Sequence, residues 1–185
     1  DYAIVIFHPI LGDEESSAAA FNKILSVLRE MNIKAFVSYP NVDAGNRNII
    51  NLIEEIIQHD SEQAFYFYRS LPRSIFVNLM RHALFLIGNS SSGIIEAPII
   101  PLPAINVGRR QMGRYQAGNV VFVDEEEEEI RRAIREVLSR EFRRKLKSVG
   151  SPYGDGKSVE RAFNLIKSLD FTRYKYKKED PLYDK

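Results

Sequence analysis

The chain has 185 residues, no cysteine, and 26 basic against 25 acidic residues. The lack of cysteine excludes disulfides and thiolate metal sites. The near-balanced charge gives no electrostatic reason to expect nucleic-acid binding, and the length fits one domain with a full core. The three histidines have no acidic partner at ligand spacing and no apolar run approaches the roughly 20 residues of a membrane span, so we expect a metal-free, cytoplasmic protein that binds a small molecule and no membrane.

The first predicted strand, residues 3–7, begins almost at the first residue, Asp1. Neither an initiator methionine nor a leader peptide precedes it. We therefore expect the chain to be part of a longer enzyme.

Short runs of β-branched or aromatic residues alternate along the chain with amphipathic helical patterns. This alternation predicts a doubly wound α/β fold, in which a parallel sheet carries helices on both faces. The predicted strands are residues 3–7, 34–39, 64–68, 84–87, 104–107 and 120–123. The predicted helices are residues 16–31, 46–59, 72–82, 125–138, 140–148 and 157–169, with a further helix after the serine-rich loop that follows the fourth strand, which Pro98, Pro101 and Pro103 end early. Residues 1–170 form the predicted domain, and residues 171–185 form a tail that includes the aromatic and lysine-rich stretch 174–178.

Helical periodicity identifies the side chains that face the core. In the first helix they are Phe21, Ile24, Leu25 and Leu28, and in the second Ile49, Leu52, Ile53, Ile56 and Ile57.

The serine-rich stretch 88–96 follows the fourth strand and opens a helix. The N–H groups at a helix N-terminus bind anions, and the hydroxyls of Ser90 and Ser91 add donors, while Gly93 leaves room for a ligand to approach. Glu96 lies where a carboxylate can accept hydrogen bonds from the two hydroxyls of a ribose. The stretch therefore predicts a nucleoside diphosphate site. The alternative is a serine-rich N-cap with Glu96 as its capping-box partner.

Ligands of open α/β sheets bind beyond the carboxyl ends of the strands, so the residues after each strand belong together. Five of these segments are polar: residues 8–9, 40–47, 69–72, 88–93 and 106–114. Arg109, Arg110 and Arg114 supply planar forks for phosphate, and Arg110 stands out by its spacing from the neighbouring glycines. His8 is either an ordinary histidine at a strand end or a group that donates to phosphate or moves a proton.

Five motifs occur together in this order: Phe7-His8-Pro9, residues 40–45, residues 87–93 with Glu96, residues 106–114, and residues 153–156. In their order and spacing the chain resembles the UDP-N-acetylglucosamine 2-epimerases, and in particular the hydrolysing type that makes N-acetylmannosamine for sialic acid biosynthesis. The likeness extends over residues 3–170 and corresponds to the C-terminal half of such an enzyme.

The resemblance implies a GT-B-type fold, in which two Rossmann-like domains face each other across a cleft and this chain is the second, UDP-binding one. It assigns the diphosphate to Ser90, Ser91 and Arg110, the ribose to Glu96, and the uracil to the backbone around Leu71. It places Asn41 and Gly93 at the UDP-sugar as well. His8 is the one residue of this domain to which we assign a catalytic role.

The reaction that the resemblance implies removes the proton at C2 of the sugar and expels UDP by anti elimination. Water then adds to the glycal intermediate with inverted configuration at C2, and no cofactor takes part. Most catalytic carboxylates are expected in the N-terminal domain, which is the expected partner of this chain in a homo-oligomeric full-length enzyme. The isolated chain is expected to be inactive.

Two segments depart from the family pattern: residues 97–103 replace a small-residue turn, and residues 10–13 replace threonines. Because of these departures, the identity of the sugar stays open, and an epimerase for a UDP-linked 2,4-diacetamido-trideoxyhexose is an alternative. A UDP-sugar glycosyltransferase domain is a second alternative, against which His8-Pro9 and Asp43-Ala44-Gly45 argue. A binding module without catalysis is a third.

Overall fold

The structure is a computed structural model that describes residues 1–59 and 63–174. Its strands are β1 (Tyr2–Ile6), β2 (Lys34–Ser38), β3 (Phe65–Tyr68), β4 (Leu86–Gly88), β5 (Ala104–Val107) and β6 (Val120–Val123). Its helices are α1 (Glu14–Glu30), α2 (Asn46–His59), α3 (Arg73–His82), α4 (Ser92–Ile95), α5 (Glu127–Leu138), α6 (Arg140–Leu146) and α7 (Ser158–Ser168). Three 3₁₀-helices lie at Ala97–Ile99, Arg109–Gln111 and Phe171–Tyr174.

The six strands form one sheet in the order β3-β2-β1-β4-β5-β6, and every pair is parallel. The predicted α/β class is confirmed, and no strand boundary differs from its predicted position by more than two residues. After β3 the chain crosses over β2 and β1 to place β4 on the other side of β1. The strand order therefore reverses between β1 and β4, which is where ligands of doubly wound sheets bind.

Each face of the sheet carries its own core. Along β1 the side chains alternate between the two cores: Val5 packs with α1, α2 and α5, while Ile4 packs with Met80 of α3. The predicted core residues of α1 are confirmed, since Phe21, Ile24, Leu25 and Leu28 are all at most 2% exposed.

The prediction for α2 is right except at one residue. Ile49 and Ile53 are fully buried, and Leu52 and Ile56 pack partly buried against the core. Ile57 is 52% exposed, so its predicted core position is wrong. At 3.6 residues per turn, Ile57 lies about 80° around the helix from Ile49, on the side opposite to Leu52 and Ile56, so the packed face of α2 extends toward Leu52 and leaves Ile57 outside.

The chain divides into two compact units, residues 1–152 and 153–185. The first contains the whole sheet. The described part of the second contains α7 and the last 3₁₀-helix. The domain boundary at residue 170 stays a prediction, and residues 175–185 of the predicted tail lie outside the described residues. None of the described helices has the length and apolarity that a membrane crossing requires.

Candidate functional site

The carboxyl ends of β1 and β4 approach each other closely at the point where the strand order reverses. Gly88, the last residue of β4, has φ of +139°, and a Cβ atom there would lie 2.0 Å from the carbonyl oxygen of Ile6. Only glycine permits this approach, because the opposing atom is backbone and cannot move aside. The loops that follow the two strands, which begin at Phe7 and Asn89, are thereby brought into contact.

Asn89 joins these two loops through its side chain. It is fully buried, and its Nδ2 donates to the carbonyl oxygen of His8 at 2.8 Å, while the N–H of His8 donates to its Oδ1 at 2.8 Å. Sequence reasoning included Asn89 only as a member of the serine-rich stretch. Its position directly after the glycine of a buried strand, at the reversal of strand order, was the signal available.

The imidazole of His8 is held by the loop after β2. The backbone N–H of Asn41 donates to its Nδ1 at 3.2 Å. Burial and, to a smaller extent, the positive charge of Arg110 lower the pKa of His8 to about 4, although the negative charge of Asp43 opposes the shift. His8 is therefore neutral at pH 7.

The side chain of Asn41 stays within its own loop, where its Nδ2 donates to the carboxylate of Asp43. Its backbone carbonyl accepts from the side chain of Asn46 at 3.2 Å. The structure thus brings Asn41 to His8 through the backbone N–H, while the amide side chain shapes the loop.

Arg110 reaches the same place from the loop after β5. Its guanidinium donates to the carbonyl oxygen of Asn89 at 3.1 Å and lies 4.0 Å from the carboxylate of Asp43. The other two arginines do not share this position: Arg109 forms an ion pair with Asp13, and Arg114 is exposed.

Gln111 was not predicted as a site residue. It is 2% exposed, and its Nε2 donates to the carbonyl oxygen of Asn89 at 2.9 Å. Its Oε1 is buried without a partner in the described part of the chain. The carbonyl oxygen of Asn89 thus accepts from two residues of the loop after β5, Arg110 and Gln111.

A cavity of about 350 Å³ opens beside this cluster. Its lining includes His8, Tyr68, Leu71, Arg73 and Ser90. Its volume falls in the range of small-molecule sites. Tyr68 and Arg73 were not among the predicted site residues, because nothing in their local sequence marks them as polar groups that share a cavity with His8.

The serine-rich loop leads into α4, which has a single turn. The N–H of Ser92 donates to the hydroxyl oxygen of Ser90 at 3.3 Å. The backbone N–H groups of Ser90 and Ser91 have no hydrogen-bond partner among residues 1–59 and 63–174. They remain available to an anion.

Gly93 lies inside the fold. It is buried, and a Cβ atom there would lie 3.1 Å from the Cβ of Ala104. The structure therefore gives this glycine a packing reason, which is the close approach of α4 to β5. A role for Gly93 in the approach of a ligand stays a prediction.

Glu96 forms an ion pair with Arg73, which lines the cavity. The side chain of Ser91, the N-cap residue of α4, accepts no capping hydrogen bond, and Glu96 pairs with Arg73 instead of completing a capping box. Leu71 also lines the cavity, and neither polar group of its backbone has a partner in the part of the chain that the structure describes.

Residues 1–167 match the family model described as UDP-N-acetylglucosamine 2-epimerase. The chain belongs to this family. The likeness predicted from the motifs is confirmed, and the chain corresponds to the C-terminal part of the relatives that it matches.

Two curated members of the UDP-N-acetylglucosamine 2-epimerase family illustrate the match. A protein of Legionella pneumophila subsp. pneumophila named UDP-N,N'-diacetylbacillosamine 2-epimerase (hydrolyzing) is 32% identical over 90% of this chain and 42% of its own length. The UDP-N-acetylglucosamine 2-epimerase of Neisseria meningitidis serogroup B is 34% identical over 75% of this chain and 36% of its own length. The chain thus spans less than half the length of these relatives.

The fold is also that of the family. The crystal structure of Methanocaldococcus jannaschii UDP-GlcNAc 2-epimerase, in complex with UDP-GlcNAc and UDP, matches 90% of this chain and 45% of its own with a TM-score of 0.70 at 16% identity. The predicted GT-B-type domain architecture is confirmed by this likeness.

Proposed function

We propose that this chain is the UDP-binding half of a hydrolysing UDP-N-acetylglucosamine 2-epimerase, which converts UDP-N-acetylglucosamine to N-acetylmannosamine and UDP. The observation that carries the proposal is the meeting of His8, Ser90 and Arg110 at the reversal of strand order, in a chain whose residues 1–167 match the epimerase family. A nucleotide with a diphosphate suits this combination of cation, hydroxyl and N–H donors.

The diphosphate binds between Arg110 and the serine-rich loop. The guanidinium of Arg110 is oriented by the carbonyl oxygen of Asn89 and lies 4.0 Å from Asp43, so it retains donors for phosphate oxygens. The unpartnered N–H groups and the hydroxyls of Ser90 and Ser91 supply the remaining hydrogen bonds. Because α4 has only one turn, these local donors and Arg110 matter more than a helix dipole.

The nucleoside occupies the cavity. Glu96 accepts hydrogen bonds from the ribose hydroxyls, and the unpartnered backbone groups of Leu71 bind the uracil edge. Asn41 approaches the sugar from the loop after β2, and Gly93 allows the serine-rich loop to sit close to β5.

In the reaction, a base removes the proton at C2 of the sugar and the C1–O bond breaks on the opposite face. The electron pair of that bond passes to the β-phosphate of UDP, which leaves a glycal. Water then adds across the double bond with inversion at C2. The family resemblance assigns the base to the N-terminal domain. The C-terminal domain, which is this chain, stabilises the negative charge that develops on UDP through Arg110, the loop donors and His8.

A second candidate substrate is a UDP-linked 2,4-diacetamido-trideoxyhexose. The Legionella relative, whose name specifies a diacetylbacillosamine, favours it. The UDP half of the site is the same for both substrates. The sugar is then distinguished by residues 10–13, one of the two segments that depart from the family pattern. The other segment, residues 97–103, leads into the amino end of β5, at the opposite edge of the sheet, where residues 100–103 line a separate cavity.

Both candidates are tested by incubating the full-length protein with each UDP-sugar and measuring free UDP and free sugar. Release of N-acetylmannosamine from UDP-N-acetylglucosamine supports the first candidate, and release of the free diacetamido sugar alone supports the second. Appearance of UDP-N-acetylmannosamine would contradict a hydrolysing reaction.

We further propose that the 185-residue chain is inactive by itself and that the full-length enzyme is a homo-oligomer. The chain spans less than half of its relatives, and the proposed base is outside it. Assay of the chain with and without a separately expressed N-terminal domain tests the first statement. Sedimentation of the full-length protein tests the second.

A further inference from the structure

His8 is held at three of its polar atoms by neighbouring loops. The side-chain amide of Asn89 binds both the backbone N–H and the carbonyl oxygen of His8, each at 2.8 Å. The backbone N–H of Asn41 donates to Nδ1 at 3.2 Å. Because an amide N–H only donates, Nδ1 must carry a lone pair, and the proton of the neutral ring must be on Nε2.

Nε2 is the ring nitrogen left for a ligand. Across the described residues it has no hydrogen-bond partner, and His8 lines the cavity together with Leu71 and Ser90. A nitrogen that already carries a proton cannot accept another, so this arrangement prevents Nε2 from acting as a base. It can donate a hydrogen bond to an oxygen that gains negative charge.

The charged and titratable groups around the ring keep it neutral. Burial and Arg110 favour the neutral form, and among the residues that the structure describes only Asp43 opposes them. Tyr68 and Arg73 line the same cavity, and neither carries a negative charge at pH 7 that would favour a charged imidazole.

Asn89 is fully buried and is not among the residues that line the cavity in the described part of the chain. It acts on the cavity through other residues: its side chain fixes the backbone of His8, and its carbonyl oxygen accepts from Arg110 at 3.1 Å. On the basis of the proposed function, we propose that Asn89 is a positioning residue that holds His8 as a neutral Nε2–H donor to the leaving UDP. During the elimination the C1–O electron pair moves to phosphate, while the imidazole proton stays on Nε2 and no proton leaves the ring.

The protonated nitrogen is identified by long-range ¹H–¹⁵N NMR of the full-length protein with ¹⁵N-labelled histidine, alone and with UDP. We expect the His8 signals of a ring protonated at Nε2 and unprotonated at Nδ1 from pH 6 to 8 in both states. A ring protonated at Nδ1, or at both nitrogens once UDP is bound, would overturn the proposal. This readout does not depend on turnover, so it separates the proposal from the assigned reaction.

Substitution of His8 distinguishes a donor from a group that transfers protons. Glutamine retains an N–H donor but transfers no proton, so we expect His8→Gln to keep on the order of tenfold more kcat than His8→Ala. Equal loss in both variants would overturn the donor role. If the wild-type protein converts neither UDP-sugar, the proposed function has failed, and the NMR result still decides the state of the ring.

The role of Asn89 is tested by Asn89→Ala, with Asn119→Ala as the control. Asn119 is also fully buried, and its side chain donates to backbone carbonyl groups, those of Gly93 and Leu102. We expect Asn89→Ala to lower kcat by on the order of 10²-fold with little change in KM, because a small displacement of a catalytic group has effects of this size. Asn119→Ala should lower stability without this selective loss of kcat.

A double-mutant cycle completes the test. If Asn89 acts through His8, Asn89→Ala should lower kcat much less when His8→Ala is already present. Full additivity of the two effects would show that Asn89 does not position His8 and would overturn the proposal.

Discussion

The guanidinium of Arg73 contacts the carboxylate of Glu96 beside the cavity that we assign to UDP. The side chain of Arg73 is 70% exposed and that of Glu96 is 23% exposed, so the pair contributes little to stability. Its effect is on orientation. Oε1 of Glu96 accepts from Arg73, and Oε2 has no partner within the described ranges, which leaves it for a ribose hydroxyl.

Replacement of Glu96 should therefore act through the ribose. We expect Glu96→Ala to lower the affinity for UDP by about 10- to 100-fold, which is the range for hydrogen bonds to a charged group, and to leave the affinity for 2′,3′-dideoxy-UDP nearly unchanged. Isothermal titration calorimetry with both nucleotides measures this difference. Arg73→Ala is the comparison variant, because it removes the partner of Glu96 and keeps the carboxylate, so we expect a smaller loss of affinity for UDP. Equal losses for both nucleotides would contradict the ribose contact.

Removal of the Arg110 guanidinium should act through the diphosphate. We expect Arg110→Ala to weaken UDP binding by about 10- to 100-fold, because charge-assisted bonds to phosphate are lost, and to leave uridine binding unchanged. Arg109→Ala is the matched control, since the guanidinium of Arg109 is engaged by Asp13. The same titrations measure both variants. A comparable loss for Arg109→Ala would show that the loop as a whole, rather than Arg110, attracts the anion.

Gly88→Ala should destabilise the fold strongly. The added methyl group would lie 2.0 Å from the carbonyl oxygen of Ile6, so β1 and β4 would have to separate, and we expect a loss of more than about 3 kcal/mol in the free energy of unfolding. At Gly118, φ is +84° but no atom lies within 4 Å of an added Cβ. Gly118→Ala should cost only about 1–2 kcal/mol of backbone strain. Urea unfolding compares the two, and equal costs would contradict the close approach of the strands.

The free energy of unfolding should fall as the pH falls from about 6.5 to about 4. In the unfolded chain His8 binds a proton near its ordinary pKa of 6.5, whereas in the native state burial and Arg110 lower its pKa to about 4. Between these values the unfolded state binds more protons, so stability is lost as the pH falls and is fully present above pH 6.5. Urea midpoints of the wild type and His8→Gln across this range measure the effect. The slope should be smaller in the variant, and identical slopes would contradict the shifted pKa.

Most of the fold was predictable because its signals are local. Each strand is a short run of residues with a high preference for extended structure, and the core positions of α1 follow from its own periodicity. Ile57 is the exception in α2: it is apolar and four residues after Ile53, yet it faces solvent. Periodicity identifies one face of a helix, but the width of the surface packed against that face depends on the neighbouring elements.

The family and most of the candidate site residues were also accessible from the sequence. The motif at residues 87–96 and the polar segments after the strands marked one edge of a parallel sheet, because parallel strands bring their carboxyl ends together. His8, Ser90 and Arg110 could therefore be grouped from their positions alone. Their grouping does not depend on side-chain geometry.

The sequence by itself determined the strands, the helices, the family and the edge at which the polar loops meet, since each depends on residues close together along the chain. Only the tertiary structure decided the partners: Asn89 with His8, 81 residues apart, and Arg73 with Glu96, 23 residues apart. It also showed that Gly93 serves packing against Ala104. Such contacts depend on the register of strands and the direction of side chains, which no local pattern encodes.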